Sequence, residues 1–133
     1  MTLMKNRILL TALLLLPSLA LAQDEPDSVY VNISPDFVTN YDEGARLKYL
    51  KASVALKIVG VDEESVRLHI PSIKNTLIIL FTSQAEENLT STVGRESLRR
   101  EALDEVRRIM STLERGGDQQ IEDLYFTNFI VQQ

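Results

Sequence analysis

Residues 46–60, RLKYLKASVALKIVG, alternate between apolar and polar side chains over most of their length. One face of an extended chain would carry Leu50, Ala52, Val54, Leu56 and Ile58. The opposite face would carry Lys51, Ser53, Ala55 and Lys57. A period of two is typical of a β-strand with one buried and one solvated face. The segment therefore predicts a strand of an antiparallel sheet, as found in α+β domains.

The preceding segment, residues 29–40, is rich in β-branched and aromatic side chains but contains Pro35. Proline has no amide hydrogen to donate to a neighbouring strand, so it is tolerated mainly in edge strands. The pattern predicts either one edge strand or two short pieces. Asp42 and Gly44 then suit a turn that leads into residues 46–60.

The C-terminal residues 121–131 predict a third strand, laid beside residues 50–58. With regular alternation, one face would carry Leu124, Phe126 and Ile130. The other face would carry Tyr125, Phe129 and Val131. A strand that is apolar on both faces is normally covered on both. We therefore expect helices, or a neighbouring subunit, on its second face.

Residues 94–113 have the periodicity of an amphipathic helix. Its apolar stripe consists of Leu98, Ala102, Val106, Ile109, Met110 and Leu113. Two ion pairs are expected between residues four apart, Glu96 with Arg100 and Asp104 with Arg108. Gly116 and Gly117 predict where the helix ends, because glycine is the common residue after a helix C-terminus.

Two further segments are helix candidates. Asp62 is suited to cap a short acidic helix, after which the chain restarts at Pro71. Residues 73–84 are ambiguous, because their β-branched content fits a buried strand while their apolar residues also repeat at helical spacing. Periodicity alone does not assign so short an apolar run, which fits either a buried strand or a helix buried on most sides.

The N-terminal residues 1–22 have the pattern of a secretory signal peptide. Lys5 and Arg7 precede the apolar run of residues 8–16, and Ala20 and Ala22 supply the small residues that signal peptidase needs before Gln23. A retained membrane anchor is the alternative, but a spanning helix needs about 20 apolar residues, more than residues 8–22 provide. The prediction is an acidic, partly disordered lead-in at 23–28, followed by one domain at 29–133.

The charge and cysteine content exclude several classes of function. The 133 residues contain no cysteine and carry a net charge of −5, which becomes −7 if Lys5 and Arg7 are removed with a signal peptide. A negative chain is disfavoured on nucleic acid and on anionic membranes. Without thiols the chain also lacks disulfides, thiolate metal ligands and a cysteine nucleophile.

Residues capable of chemistry are few. His69 is the single histidine and would serve as a pH-sensitive group or a lone ligand, or more simply as a helix-end residue. The acidic runs at 62–64 and 86–87 lack the alternating oxygen ligands and turn glycine of a calcium loop, and acids at a helix start are explained by the helix dipole. We therefore expect no catalytic residue, cofactor or metal, and a binding or structural role.

Four motifs follow one another along the chain and cover most of residues 29–133. They comprise Tyr49, Leu50 and Lys51; Pro71, Ile73 and Asn75; Thr90, Gly94, Leu98, Arg99 and Glu101; and Tyr125, Phe126, Thr127, Phe129 and Gln132. In this order and spacing they resemble the periplasmic domain of the FliL family, the flagellar basal-body-associated proteins.

The resemblance implies an α+β fold in which two main helices, one of them residues 73–84, pack on a small antiparallel sheet. That fold is similar to a stomatin/prohibitin-type domain. The resemblance also implies a non-enzymatic role in the periplasm at the inner-membrane flagellar basal body, in which the protein associates with stator units and supports swimming and swarming. Its partners would be proteins of the basal body and further copies of the same chain, with no nucleic acid.

The N-terminus departs from the family pattern. Family members typically begin with a short cytoplasmic tail and an uncleaved transmembrane helix, whereas this chain begins with the signal-like residues 1–22. The resemblance is therefore to a signal-peptide-bearing paralogue, associated with the membrane only if that segment is retained. A periplasmic scaffold or binding module of the same fold, unrelated to motility, is the alternative.

Overall fold

The computed structural model describes residues 27–41 and 48–132. Its elements are β1 (Ser28–Tyr41), β2 (Lys48–Val59), α1 (Glu63–Leu68), α2 (Ile70–Thr82), α3 (Glu86–Thr90), α4 (Thr92–Leu113) and β3 (Ile121–Gln132). The predicted signal peptide and the turn residues Asp42 and Gly44 lie outside the described residues. β1 begins at Ser28, the last residue of the predicted lead-in. No helix within the described ranges has the length and hydropathy needed to cross a bilayer.

The three strands form an antiparallel sheet in the order β1-β2-β3. β2 alternates as predicted, and its five even-numbered apolar side chains are at most 2 % exposed. They face α2 and α4, the two main helices, across a common core. The sheet therefore has one face under the helices and one face turned away from them, which we call the open face. The α+β class is confirmed.

β1 is one continuous edge strand. Its register against β2 shifts between Ile33 and Phe37, on either side of Pro35. Beyond the shift Phe37 lies opposite Ala52, and its ring is on the same side as Val31 and Ile33 and is 2 % exposed. The prediction of an edge strand is confirmed, and the two-piece alternative is wrong, because the irregularity absorbs the proline without ending the strand.

The ambiguous apolar segment is the helix α2. Pro71 lies in its first turn, where the missing amide hydrogen costs no helical hydrogen bond. The helix buries Ile73, Leu77, Leu80 and Phe81. Ile79 is 63 % exposed, so the expectation of a helix buried on most sides is wrong. The helix packs on the sheet with one face only, as in a two-layer domain.

α4 extends the predicted helix by two residues at its start. Ser91 caps it, with Oγ accepting a hydrogen bond of 2.9 Å from the amide of Gly94. A Cβ at Gly94 would lie 2.7 Å from Cα of Asn88, so this glycine allows α4 to pass close to the backbone of α3. Beyond Leu113 the chain turns at Gly116, whose φ of 69° favours glycine.

The side chains of α4 follow the prediction with two corrections. Leu98, Ala102, Val106 and Met110 are buried, whereas Leu113 is 39 % exposed and lies outside the core. Arg100 pairs with Glu96 as expected, at 3.2 Å. Arg108 pairs with Glu105 at 2.7 Å rather than with Asp104, because residues three apart on a helix are also neighbours.

β3 pairs with β2 as expected, but its faces differ from the prediction. The register shifts by one residue at Thr127, since Ser53 lies opposite Asn128 and Val54 opposite Phe126. Such a bulge reverses the alternation beyond it. Phe129 and Val131 therefore lie on the helix side together with Leu124 and Phe126, and Ile130 lies on the open face with Tyr125. The expected assignment of Phe129, Val131 and Ile130 is wrong.

Candidate protein-interaction surface

The open face carries a concentration of exposed apolar side chains. Its members are Tyr30 and Val38 of β1, Tyr49 of β2, and Tyr125 and Ile130 of β3. Val38 is 68 % exposed and Ile130 is 51 % exposed. A contiguous exposed apolar area on a small domain is characteristic of a surface that contacts another protein.

The register of the sheet brings one part of this surface together around Lys51. Val38, Lys51 and Ile130 lie side by side on the three strands. With Tyr49 and Gln132 they line a shallow depression of about 370 Å³. Among the described residues no carboxylate pairs with Lys51. The depression thus combines apolar walls with a cation that is free to meet an acidic group of a partner.

The end of the open face around Lys57 contains ring and ion-pair contacts. The rings of Tyr30 and Tyr125 lie with their centroids 6.3 Å apart. Nζ of Lys57 lies 3.3 Å from a carboxylate oxygen of Glu122, which also accepts a hydrogen bond of 2.8 Å from Oγ of Ser28. The hydrogen bonds from Ser28 and Lys57 lower the pKa of Glu122. Lys57 is therefore less available to an external anion than Lys51.

Arg99 joins α4 to β3. Its guanidinium forms a two-point contact with Glu96, at 2.7 and 2.9 Å. The same group donates to Oδ1 of Asp123 at 2.7 Å and to the carbonyl of Leu124 at 3.1 Å. The Arg99 hydrogen bond lowers the pKa of Glu96 to about 2. Burial raises the pKa of Asp123, but hydrogen bonds from Leu124, Tyr125 and Arg99 outweigh it and leave the pKa lowered.

The Arg99 contacts predict a pH-dependent loss of stability. Carboxyl groups with a depressed pKa stabilise the fold above their unfolded pKa of about 4 and lose that contribution as the pH falls through the folded value. We expect R99Q to lower the melting temperature at pH 7, and the difference from wild type to shrink between about pH 5 and pH 2. Thermal melts over this range test it, with R108Q as an exposed control; a constant difference would contradict the assignment.

The motif residues fall into distinct structural roles. Buried in the core are Leu50, Ile73 and Leu98, with Gly94 at the α3–α4 approach. Exposed or half-exposed on the open face are Tyr49, Lys51, Tyr125 and Gln132. Phe126 and Phe129 are half-buried on the helix side, and Thr127 is the exposed bulge residue. Pro71, Asn75, Thr90 and Glu101 are exposed on helices. The structure thus brings four motif residues onto one surface and uses most of the others for folding.

Three of the residues considered for chemistry, His69, Glu63 and Glu86, have structural partners. Nε2 of His69 lies 2.8 Å from Oε1 of Glu114, which ties the start of α2 to the end of α4. Asp62 precedes α1 but makes no capping hydrogen bond with its side chain, so that expectation is wrong. Glu63 pairs with Arg67, and Glu86 with Lys48. In residues 27–41 and 48–132 no group of three or more His, Cys, Asp or Glu residues is arranged to hold a metal ion.

The family of this chain is identified by its similarity to known proteins. The family model for the flagellar basal body-associated protein FliL matches residues 30–132. The chain belongs to the FliL family. A relative is the flagellar protein FliL of Aquifex aeolicus (strain VF5), with 26 % identity over 105 residues and 78 % of this chain. The matched region spans 62 % of that relative's length. Membership confirms the resemblance to a family described as flagellar basal body-associated proteins.

Sequence reasoning missed Val38 and Ile130 as surface residues. Residues 29–40 were not assigned a buried and an exposed face, so Val38 was not recognised, and Ile130 lies beyond the bulge at Thr127, where simple alternation fails. The polar pair Thr127-Asn128 inside an apolar strand was the one local indication of a break in the alternation of β3. A bulge often coincides with such an interruption.

Proposed function

We propose that this protein is a non-enzymatic accessory component of the flagellar basal body, which acts in the periplasm through protein–protein contacts. The open face is the observation that carries the proposal. It offers an exposed apolar area around Lys51 in a family associated with the basal body. A surface of this kind is suited to stable contact with another protein and has no features of a small-molecule active site.

The proposed partners are components of the stator and further copies of this chain. A flat sheet face with exposed apolar side chains is stabilised when a partner layer covers it. The free cation at Lys51 favours a partner that carries an acidic group at the centre of its contact surface. We further propose that the domain is of the stomatin/prohibitin type, and that residues 1–22 direct export as a signal peptide. Their retention as an inner-membrane anchor is the alternative.

The test is motility of a strain that lacks the gene. We expect reduced spreading in soft agar and reduced swarming on a firm surface, with flagella still present by electron microscopy. Wild-type protein should restore both. The pair V38D and Y49S should restore neither, because it places a charge in the apolar depression and removes one of its walls.

A matched control separates loss of the surface from loss of the protein. I79D with L68S changes two exposed apolar residues on helices, 63 % and 72 % exposed, and should restore motility. Both pairs must accumulate to wild-type levels. Normal motility of the deletion strain under high load would contradict the motor role and favour an envelope scaffold. Full restoration by the open-face pair would place the contact elsewhere.

A further inference from the structure

β3 is an edge strand, and the first half of its free edge is occupied by arginines of α4. Nε and Nη2 of Arg107 donate to the carbonyls of Ile121 and Glu122 at 3.0 and 2.8 Å. Nη1 of Arg99 donates to the carbonyl of Leu124 at 3.1 Å. These bonds satisfy outward carbonyl groups that an added strand would need. The first half of the β3 edge is therefore closed to pairing.

The second half of β3, residues 126–132, differs in its cover. Ile121 and Leu124 are at most 1 % exposed on the helix side of the sheet. Phe126, Phe129 and Val131 lie on the same side but are only partly buried. Among the contacts that the described residues make, none places a side chain of α4 on a carbonyl of residues 126–132. The helix layer thus covers the start of β3 and leaves its end half open.

The opposite edge of the sheet is protected by other means. Pro35 has no amide hydrogen, and the register shift around it interrupts the line of hydrogen-bonding groups on β1. Nζ of Lys74 also donates to the carbonyl of Pro35 at 3.0 Å. Residues 126–132 contain a register shift of their own at Thr127, but they include no proline. Within the described part of the chain no side-chain donor occupies their carbonyls, so they are the stretch of sheet edge that is best suited to accept another strand.

The side chain of Arg95 lies beside residues 126–132. The guanidinium of Arg95 lies over the ring of Phe129, 5.0 Å from its centroid, and its Nε donates to the carbonyl of Leu89 at 2.7 Å. No carboxylate of the described residues pairs with Arg95. A cleft of about 320 Å³ lies between β3 and the first turn of α4, and Arg95 and Phe126 line it. Glu96 also lines the cleft, but its carboxylate is paired with Arg99 and Arg100. The remaining guanidinium nitrogens are available to an acidic group that enters along the strand.

We propose that residues 126–132 accept an extended segment of a partner protein as a fourth strand of the sheet. Main-chain hydrogen bonds supply the affinity in this mode of recognition, and side-chain pockets supply the specificity. The segment carries apolar side chains that complete the cover of Phe126, Phe129 and Val131. It also carries a carboxylate that pairs with Arg95. The contact is made by the backbone edge of residues 126–132, whereas the open face uses the side chains of Ile130 and Gln132 from the same stretch. The proposal does not depend on a role in motility.

The probe for this proposal is a fluorescein-labelled heptapeptide of the sequence Asp-Thr-Val-Thr-Val-Thr-Asp. In an extended chain its valines and its aspartates lie on the same face. The two acids make the probe usable in either strand direction. We expect saturable binding to the whole protein by fluorescence anisotropy. Binding should weaken about tenfold when both aspartates are replaced by asparagine, the loss expected for one charge-assisted contact. A proline at the central position should abolish binding because it interrupts the ladder.

The protein variants test the same contact from the other side. R95Q should reduce affinity for the aspartate peptide about tenfold and leave affinity for the asparagine peptide unchanged. R100Q, which alters a more exposed arginine of the same helix, should change neither. Hydrogen exchange should show amides of residues 126–132 slowed by the peptide. The asparagine comparison on wild-type protein keeps the test independent of any instability of R95Q.

The proposal is overturned by the absence of saturable binding, by equal affinity for the aspartate and asparagine peptides, or by slowed exchange that is confined to β1 and β2. Concentration-dependent self-association that protects these same amides, without peptide, would assign the edge to a second copy and overturn the partner-segment form. Because none of these measurements involves motility, failure here is distinguishable from failure of the basal-body role.

Discussion

Deletion of the last eight residues, 126–133, should abolish cooperative folding of the domain. The deletion removes six of the residue pairs that join β3 to β2, from Val54–Phe126 to Tyr49–Gln132. It also strips Phe126, Phe129 and Val131 from the helix side of the sheet. A domain of this size has a free energy of unfolding of only about 5–15 kcal/mol. The loss of half a strand should cost more than this free energy. Thermal melts monitored by circular dichroism should show no cooperative transition.

A shorter deletion provides the control. Removal of Gln132 and Gln133 alone eliminates one residue pair with β2 and no core side chain, so the melting curve should remain cooperative with a modest shift. If the eight-residue deletion kept a cooperative transition and protected amides in β2, the end of β3 would not belong to the fold. The folded domain would then have no free edge at residues 126–132 for an added strand to pair with.

Replacement of Phe81 by alanine should be the most damaging single substitution. Phe81 is fully buried in α2 and links the two outer strands. Its ring meets Phe37 of β1 edge-on, with centroids 5.3 Å apart, and Phe126 of β3 at 5.9 Å. Loss of a buried phenylalanine costs about 3–5 kcal/mol through lost transfer energy and the remaining cavity. Urea denaturation should show a loss of this size with an unchanged m-value.

Ile79 is the matched control for this substitution on the same helix. It is 63 % exposed, and alanine is a better helix former than isoleucine. I79A should therefore change the free energy of unfolding by less than about 0.5 kcal/mol. A loss below about 1 kcal/mol for F81A would contradict the central position of Phe81, since typical core truncations of this kind cost more.

Predictability differed between elements for identifiable reasons. β2 was predicted with its helix-facing side because Leu50, Ala52, Val54, Leu56 and Ile58 alternate regularly, and α4 because its apolar stripe spans about four turns. α2 could not be assigned from its own residues, since a short apolar run suits a helix and a strand equally. α3 was missed because five residues give too little periodicity to recognise. A neighbouring subunit on the second face of β3 was one of two stated alternatives, but the exposed apolar residues of β1 and β2 on the same face were not foreseen.

β2 and β3 differ in how well their own residues predict which side chains are buried. In β2 the alternation predicts the five side chains that face the helices, and Ala55 is the one residue of the predicted solvated face that is buried. In β3 the same rule misplaced Phe129, Ile130 and Val131, because one residue at Thr127 is left out of the pairing with β2. Whether a strand carries a bulge depends on its register against a neighbour and on the core that it must complete, and neither is encoded in the strand's own alternation.

The amino-acid sequence by itself determined the edge strand around Pro35, the central strand, the long helix and, through its motifs, membership of the FliL family. These features depend on local periodicity and on the order of residues along the chain. Only the tertiary structure decided which side of β3 faces the helices, which apolar residues remain exposed and which half of the β3 edge is closed by arginines. Those properties arise between elements that are distant in sequence, where packing and hydrogen bonding select one arrangement among several that the chain allows.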